Sequence, residues 1–68
     1  MIIVEGDVVN NLREACEWLK EAWVYEPYNI WYEQTGDYEC INIEPIRDNE
    51  DAPSFYIFNL EEFAKFVR

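Results

Sequence analysis

The chain has 68 residues, of which half are hydrophobic and 18% are aromatic, so it has enough apolar mass for one folded domain and too little length for two. Its 15 acidic and 5 basic residues give a formal net charge of −10. This charge excludes direct binding to nucleic acid or to anionic membranes, because both are polyanions. No apolar run approaches the roughly 20 residues that span a bilayer, and no signal peptide is visible. We expect one acidic cytoplasmic domain over residues 1–68, and the ends at Met1 and Arg68 favour a complete short gene product.

The first third of the chain predicts a strand and then a helix. Residues 1–5 are a β-branched run that ends at Gly6, which predicts a short strand. Asp7 is typical of a helix N-cap. Apolar residues then recur at helical spacing, at Val8, Leu12, Ala15, Cys16, Leu19, Ala22 and Trp23. Pro27 prevents continuation of this helix, so we expect it to end near Trp23 or Val24, with residues 25–29 as the connection.

The middle of the chain predicts a β-hairpin of residues 29–35 and 38–44. Gly36 and Asp37 form its two-residue turn, and glycine at the first position suits a type II′ turn. This turn sets Thr35 opposite Tyr38, Tyr32 opposite Ile41 and Ile30 opposite Ile43. One face then carries the predicted core residues Ile30, Tyr32, Ile41 and Ile43. The other face carries Trp31, Glu33, Tyr38, Cys40, Asn42 and Glu44.

The last third predicts a strand at residues 54–58 and a short helix. Asn59 with Glu62 three residues later is a capping-box pattern, which marks where this helix begins. Its apolar stripe is Leu60, Phe63, Ala64 and Val67. The predicted order is β-α-β-β-β-α, an α+β fold with a small antiparallel sheet of three to four strands and two helices on one face.

The side chains that usually carry catalysis are scarce. There is no histidine, so the commonest general base and metal ligand is missing. Ser54 and Thr35 have no evident base partner, and Gly6 and Gly36 alone do not make a phosphate loop. The chain is also too short to build a deep pocket around paired carboxylates. We predict that the protein is not an enzyme and uses no cofactor.

The two cysteines, Cys16 and Cys40, are predicted to be reduced, although their distance and hence their pairing is not fixed by sequence. Cys16 lies on the apolar stripe of the first helix and is expected to be a buried structural thiol. Cys40 falls on the sheet face away from the core, where partial exposure is expected. Two cysteines without a histidine do not form a usual zinc site, so no metal is predicted.

Exposed carboxylates form three candidate partner-binding patches. On the first helix, Glu14, Glu17 and Glu21 lie within a sector of about 60° opposite the apolar stripe. Trp18 lies on its flank, either partly exposed beside these acids or covering the edge of the sheet. In the loop of residues 47–53, Asp48, Glu50 and Asp51 form a second patch, either as solvated acids or as oxygen ligands for Ca²⁺, although the EF-hand glycine and final glutamate are missing.

The third patch lies on the sheet face away from the predicted core, where Glu33 and Glu44 accompany Trp31 and Tyr38. Exposed aromatic side chains do not help solubility, but they are typical anchors of protein interfaces. Alternatively, Trp31 and Tyr38 pack on the loop of residues 47–53 or form a homodimer contact.

Carboxylates on a small rigid surface can imitate the phosphates of a nucleic-acid strand. In size, charge and aromatic content the chain resembles phage-encoded DNA mimics, namely anti-restriction proteins, uracil-DNA glycosylase inhibitors and some anti-CRISPR proteins, and also the acidic immunity proteins of nuclease toxins. No sequence motif carries this resemblance. It implies an inhibitor that blocks the basic groove of a nucleic-acid-handling protein.

Two other interpretations remain open. In the first, the chain is a structural or regulatory interaction module, or a subunit, that binds through its aromatic sheet face; a nuclease-toxin immunity protein belongs here. High acidity would then serve only solubility. The second is a small enzyme, for which the sequence shows no base or nucleophile. Neutralising the helix acids or removing the sheet aromatics separates the inhibitor from the module.

Overall fold

The computed structural model describes residues 1–22, 28–46 and 51–67 and confirms the α+β class. The elements are β1 Ile2–Val4, β2 Asp7–Val9, α1 Leu12–Ala22, β3 Tyr28–Thr35, β4 Tyr38–Pro45, β5 Phe55–Ile57 and α2 Leu60–Phe66. The order is therefore β-β-α-β-β-β-α, with one strand more than predicted. The predicted helix end at Trp23 or Val24 and the loop acids Asp48 and Glu50 lie outside the described residues.

A three-stranded antiparallel sheet forms the centre of the molecule, with β4 between β3 and β5. The predicted hairpin register is confirmed at all three pairs, from Thr35 and Tyr38 to Ile30 and Ile43. The register holds because the turn has two residues, and Gly36 adopts the positive φ of 60° that this turn requires. On the other edge of β4, Ile57 of β5 pairs with Ile41.

The N-terminal segment is a second, two-stranded sheet, and the prediction that Asp7 caps the first helix is wrong. Asp7 pairs with Val4 across a β1–β2 hairpin, and the helix begins only at Leu12. Asn11 caps it instead: its Oδ1 accepts from the Glu14 backbone N–H at 2.9 Å. Val8 therefore lies on a strand and not on the helical stripe. Pairing of residues 7–9 with residues 2–4 therefore overrides the helix-cap pattern at Asp7.

The β1–β2 turn holds Glu5 in a left-handed conformation, with φ of 49° at Glu5 and 87° at Gly6. Positive φ at both central residues is the type I′ geometry, which favours Asn-Gly. In this left-handed conformation glutamate is sterically strained, whereas asparagine adopts it more readily. We expect Glu5→Asn to raise the free energy of unfolding by about 0.5–1 kcal/mol, measured by urea denaturation. Glu5→Gln is the control, since it removes the same charge without backbone relief and should change little.

The core lies between one face of the three-stranded sheet, both helices and the inner residues of the N-terminal hairpin. Ile41 and Ile43 supply the sheet side, with half-buried Ile30 and Tyr32 beside them, as predicted, and Ile57 joins them from β5. The remaining buried apolar residues are Val4, Val9, Leu12, Ala15, Cys16, Leu19 and Phe63. The capping box of α2 is confirmed, because Asn59 Oδ1 accepts from the Glu62 N–H at 2.8 Å. Neither described helix has the length and apolar character to cross a bilayer.

Candidate functional site

A shallow groove of about 280 Å³ runs between β2 and α1 and is lined by four carboxylates. We call it the acidic groove; its acids are Asp7, Glu14, Glu17 and Glu21, and Val8, Val9 and Trp18 complete the lining. The helix acids are exposed and lie opposite the buried stripe of α1, so they face away from the sheet. Within the described ranges, the one salt bridge that touches them joins Lys20 Nζ to Glu17 at 3.9 Å, and both side chains are exposed. Such a pair contributes little, so the groove stays strongly anionic.

Trp18 forms part of the groove and is held in place by the core. Its ring is half-buried and packs edge-on against Phe63 of α2, with centroids 5.8 Å apart. Its indole Nε1 donates to Asp7 Oδ2 at 3.0 Å, which fixes the carboxylate of Asp7 on the groove wall. Trp18 thus packs against Phe63 of α2 and stays partly exposed beside the groove acids.

A second surface lies on the side of the three-stranded sheet away from the helices. We call it the open sheet face; it consists of Trp31, Glu33, Tyr38, Cys40, Asn42, Glu44, Tyr56 and Phe58. The four large rings are between 38% and 50% exposed. Both helices pack on the opposite face, and no other described element covers this one. Residues 47–50, which belong to the loop considered as a cover for Trp31 and Tyr38, lie outside the described residues.

Cys40 and Asn42 are buried on the open sheet face, and the prediction that Cys40 is partly exposed is wrong. Cys40 is 0% exposed, although no helix covers it. It lies on the central strand β4, near the ring of Tyr38 on the same strand, which meets the ring of Phe58 just after β5 at 6.0 Å. Asn42, between Trp31 and Tyr56 in register, is 8% exposed.

The Asn42 side-chain amide is only half satisfied. Its Oδ1 accepts a long hydrogen bond from Cys40 Sγ at 3.9 Å. Its Nδ2 is buried and has no hydrogen-bond partner within the described part of the chain. Buried polar atoms are nearly always paired, and an unpaired one costs about 1–3 kcal/mol. The unpaired amide nitrogen of Asn42 therefore lowers the stability of the free protein.

Both thiols are free and buried, as predicted for Cys16. Burial raises the pKa of the Cys16 thiol, and nearby Lys20 offsets part of the effect. Burial likewise raises the pKa of Cys40, which hydrogen bonding with the Tyr38 hydroxyl partly offsets. Because the thiolate is the nucleophile, neither thiol is activated for chemistry.

The raised thiol pKa values predict that stability falls in alkaline solution. The folded state favours the protonated thiols, so this contribution is full below their ordinary value of 9.0 and is lost as pH rises through the higher folded-state pKa values. We expect the urea midpoint to drop as the pH rises above about 9. A Cys16→Ala, Cys40→Ala variant should show a clearly smaller drop. An equal drop in both proteins would place the titrating groups elsewhere.

The sequence prediction placed Asn42 on the correct sheet face but missed Asp7, Tyr56 and Phe58 as residues of these surfaces. For Tyr56 and Phe58 the signal was present, because side chains alternate along β5 and the buried Ile57 between them points to the core. Asp7 was assigned to the wrong element. Asp51 of the second patch is exposed, and its predicted neighbours Asp48 and Glu50 lie outside the described residues. No cluster of three or more potential metal ligands occurs within residues 1–22, 28–46 and 51–67.

Comparison with known proteins identifies no relative that would assign a role to these surfaces. No family model, no curated protein and no solved structure matches the chain.

Proposed function

We propose that the protein is a binding inhibitor of a basic, nucleic-acid-handling protein and acts by steric and electrostatic block. The observation that carries the proposal is the acidic groove, where the carboxylates of Asp7, Glu14, Glu17 and Glu21 line one surface of a chain whose net charge is −10. A surface of this charge attracts a basic partner and repels nucleic acid and anionic lipid.

The spacing of the groove acids supports mimicry of a phosphate backbone. Glu14, Glu17 and Glu21 are three and four residues apart, which separates them by about 4.5 and 6 Å along the helix axis. Phosphates follow one another at about 3.4 Å of axial rise along a DNA strand. Both arrays place anionic oxygens a few ångströms apart along a line, so a cationic groove that receives DNA or RNA can receive this helix. A phage anti-defence role of the anti-CRISPR kind is one biological form of this activity.

The rigidity of the groove favours binding over a purely solubilising role for the acids. Asp7 is fixed by the Trp18 indole at 3.0 Å, and Glu14 accepts from Asn11 Nδ2 at 2.9 Å. Side chains already held in place lose less conformational entropy on binding. Solubility alone requires no such fixation.

Affinity capture tests the proposal. The immobilised protein is incubated with a bacterial lysate at about 50 mM and about 200 mM salt, and retained proteins are identified by mass spectrometry. We expect nucleic-acid-binding proteins to be retained at low salt and released by high salt or by added double-stranded DNA. Retention that is indifferent to both salt and DNA would contradict the proposal.

A further inference from the structure

We propose that the open sheet face is a separate docking surface for an extended, arginine-bearing polypeptide segment of a partner protein, with Asn42 as its central hydrogen-bond donor. The face lies on the side of the sheet opposite α1, whereas the acidic groove lies on the far side of α1. A partner on one surface leaves the other free, so this inference goes beyond the proposed inhibition and does not depend on it.

The first reason is the unpaired Asn42 amide. Its Nδ2 is buried without a partner in the described part of the chain, on the central strand and among the rings of Trp31 and Tyr56. Trp31 and Tyr56, the cross-strand neighbours of Asn42, are 38% and 50% exposed, and a rotation of either side chain on binding would open the amide. A backbone carbonyl of a bound segment would then satisfy it. Forming this hydrogen bond would remove the free-energy cost of the unpaired donor and so favour binding.

The second reason is the apolar area of the face. Rings of this kind bury roughly 150–250 Å² each, so four that are about half exposed leave on the order of 400 Å² for contact. One side of a stable interface covers about 800 Å², which means that the rings supply about half of it. Aromatic side chains at the centre of such a patch are typical of binding hot spots.

Charge decides the kind of partner. Glu33 and Glu44 share the face with the rings, and Asp37 lies in the turn at its end. The described cations Arg13, Lys20 and Lys65 are all on the helices, and Arg13 lies 4.9 Å over the Tyr32 ring on the core side of the sheet. Carboxylates beside electron-rich rings suit guanidinium groups, through ion pairs and cation–π contacts.

A second copy of this chain fits the face less well. Each copy carries a net charge of −10, and face-to-face packing would bring the carboxylates of Glu33 and Glu44 from both copies together. Like charges placed across an interface oppose association. A basic segment meets the same carboxylates with opposite charge.

An NMR titration tests the inference. The probe is a short blocked peptide that alternates valine and arginine, and the counter-probe alternates valine and glutamate. We expect saturable shifts of the Asn42 side-chain amide and the Trp31 indole with the arginine probe only. Asn42→Leu, which keeps the size but removes the donor, should bind about tenfold more weakly. Trp31→Ala should also weaken binding, and Ile3→Ala, an exposed apolar position on β1 outside both surfaces, should not.

Several outcomes would overturn the inference. Shifts confined to Glu14, Glu17 and Glu21 would place the peptide in the acidic groove; the proposed inhibition would then stand and the docking face would fall. Equal binding by Asn42→Leu would remove the amide from the interface. Shifts of the face signals with protein concentration alone, together with a dimer mass in sedimentation, would assign the face to a second copy. Capture of a nucleic-acid-handling partner by the groove does not bear on these results.

Discussion

Replacement of Phe63 by alanine is expected to lower the free energy of unfolding by about 3–5 kcal/mol and to leave much of the protein unfolded at room temperature. Phe63 is the largest fully buried side chain among the described residues, and its ring supports Trp18 at 5.8 Å. A chain of 68 residues has a total stability of only about 3–10 kcal/mol, so a loss of this size exhausts most of it.

The measurement for Phe63→Ala is far-ultraviolet circular dichroism during urea denaturation, with Phe58→Ala as the matched control. Phe58 is 45% exposed and its main described contact is the Tyr38 ring. Loss of this ring pair should lower the free energy of unfolding by about 1 kcal/mol. Similar losses for both variants would mean that the helices do not share one core with the sheet.

Neutralising the helix side of the acidic groove is expected to weaken partner binding by about 10- to 100-fold at about 50 mM salt, with the fold intact. The variant carries Glu14→Gln, Glu17→Gln and Glu21→Gln. Glutamine at position 14 keeps an acceptor for Asn11, so the cap of α1 is preserved. Glu17 and Glu21 are like charges four residues apart, and removing their repulsion relieves a small strain on the helix. Affinity is measured by calorimetry against a protein purified from the capture experiment.

The matched control removes the same three charges elsewhere, through Glu5→Gln, Asp37→Asn and Glu61→Gln. All three side chains are exposed and outside the groove. Their loss should reduce affinity only a few-fold, because at about 50 mM salt attraction is largely screened beyond about 14 Å. If control and groove variant lose affinity equally, net charge alone drives binding and the groove is not the interface.

The predictable parts of the fold are those determined by residues close together in the sequence. A two-residue turn at Gly36 and Asp37 fixes the register of β3 and β4, and alternation then assigns their faces. The Asn59 and Glu62 capping box marks the start of α2. Each rule acts within a few residues, so no tertiary information was needed.

The N-terminal hairpin was missed because its strands have three residues each, which is too few to show an alternation of apolar and polar side chains. Asp7 and Val8 also fit a helix start, and Asn11 with Glu14 fits one equally well. Only pairing between β1 and β2 chooses between them. Glutamate at the left-handed position of the turn also hid the hairpin, because asparagine is the usual residue there.

The candidate surfaces were predictable only in part. Helical spacing was enough to place Glu14, Glu17 and Glu21 together. Burial of Cys40 and Asn42 was not predictable, since it depends on where β5 pairs with β4, and the long connection between them sets no register. The half-satisfied amide of Asn42 is visible only once that pairing is known.

If the groove carboxylates draw a cationic nucleic-acid site onto this chain, the association rate with a purified captured partner must depend on salt. Stopped-flow fluorescence from low to high salt measures that rate. We predict a rate constant that falls steeply and linearly on a logarithmic salt scale, together with competition by double-stranded DNA. A rate that stays flat across the salt range, in a complex that DNA does not displace, would contradict the account.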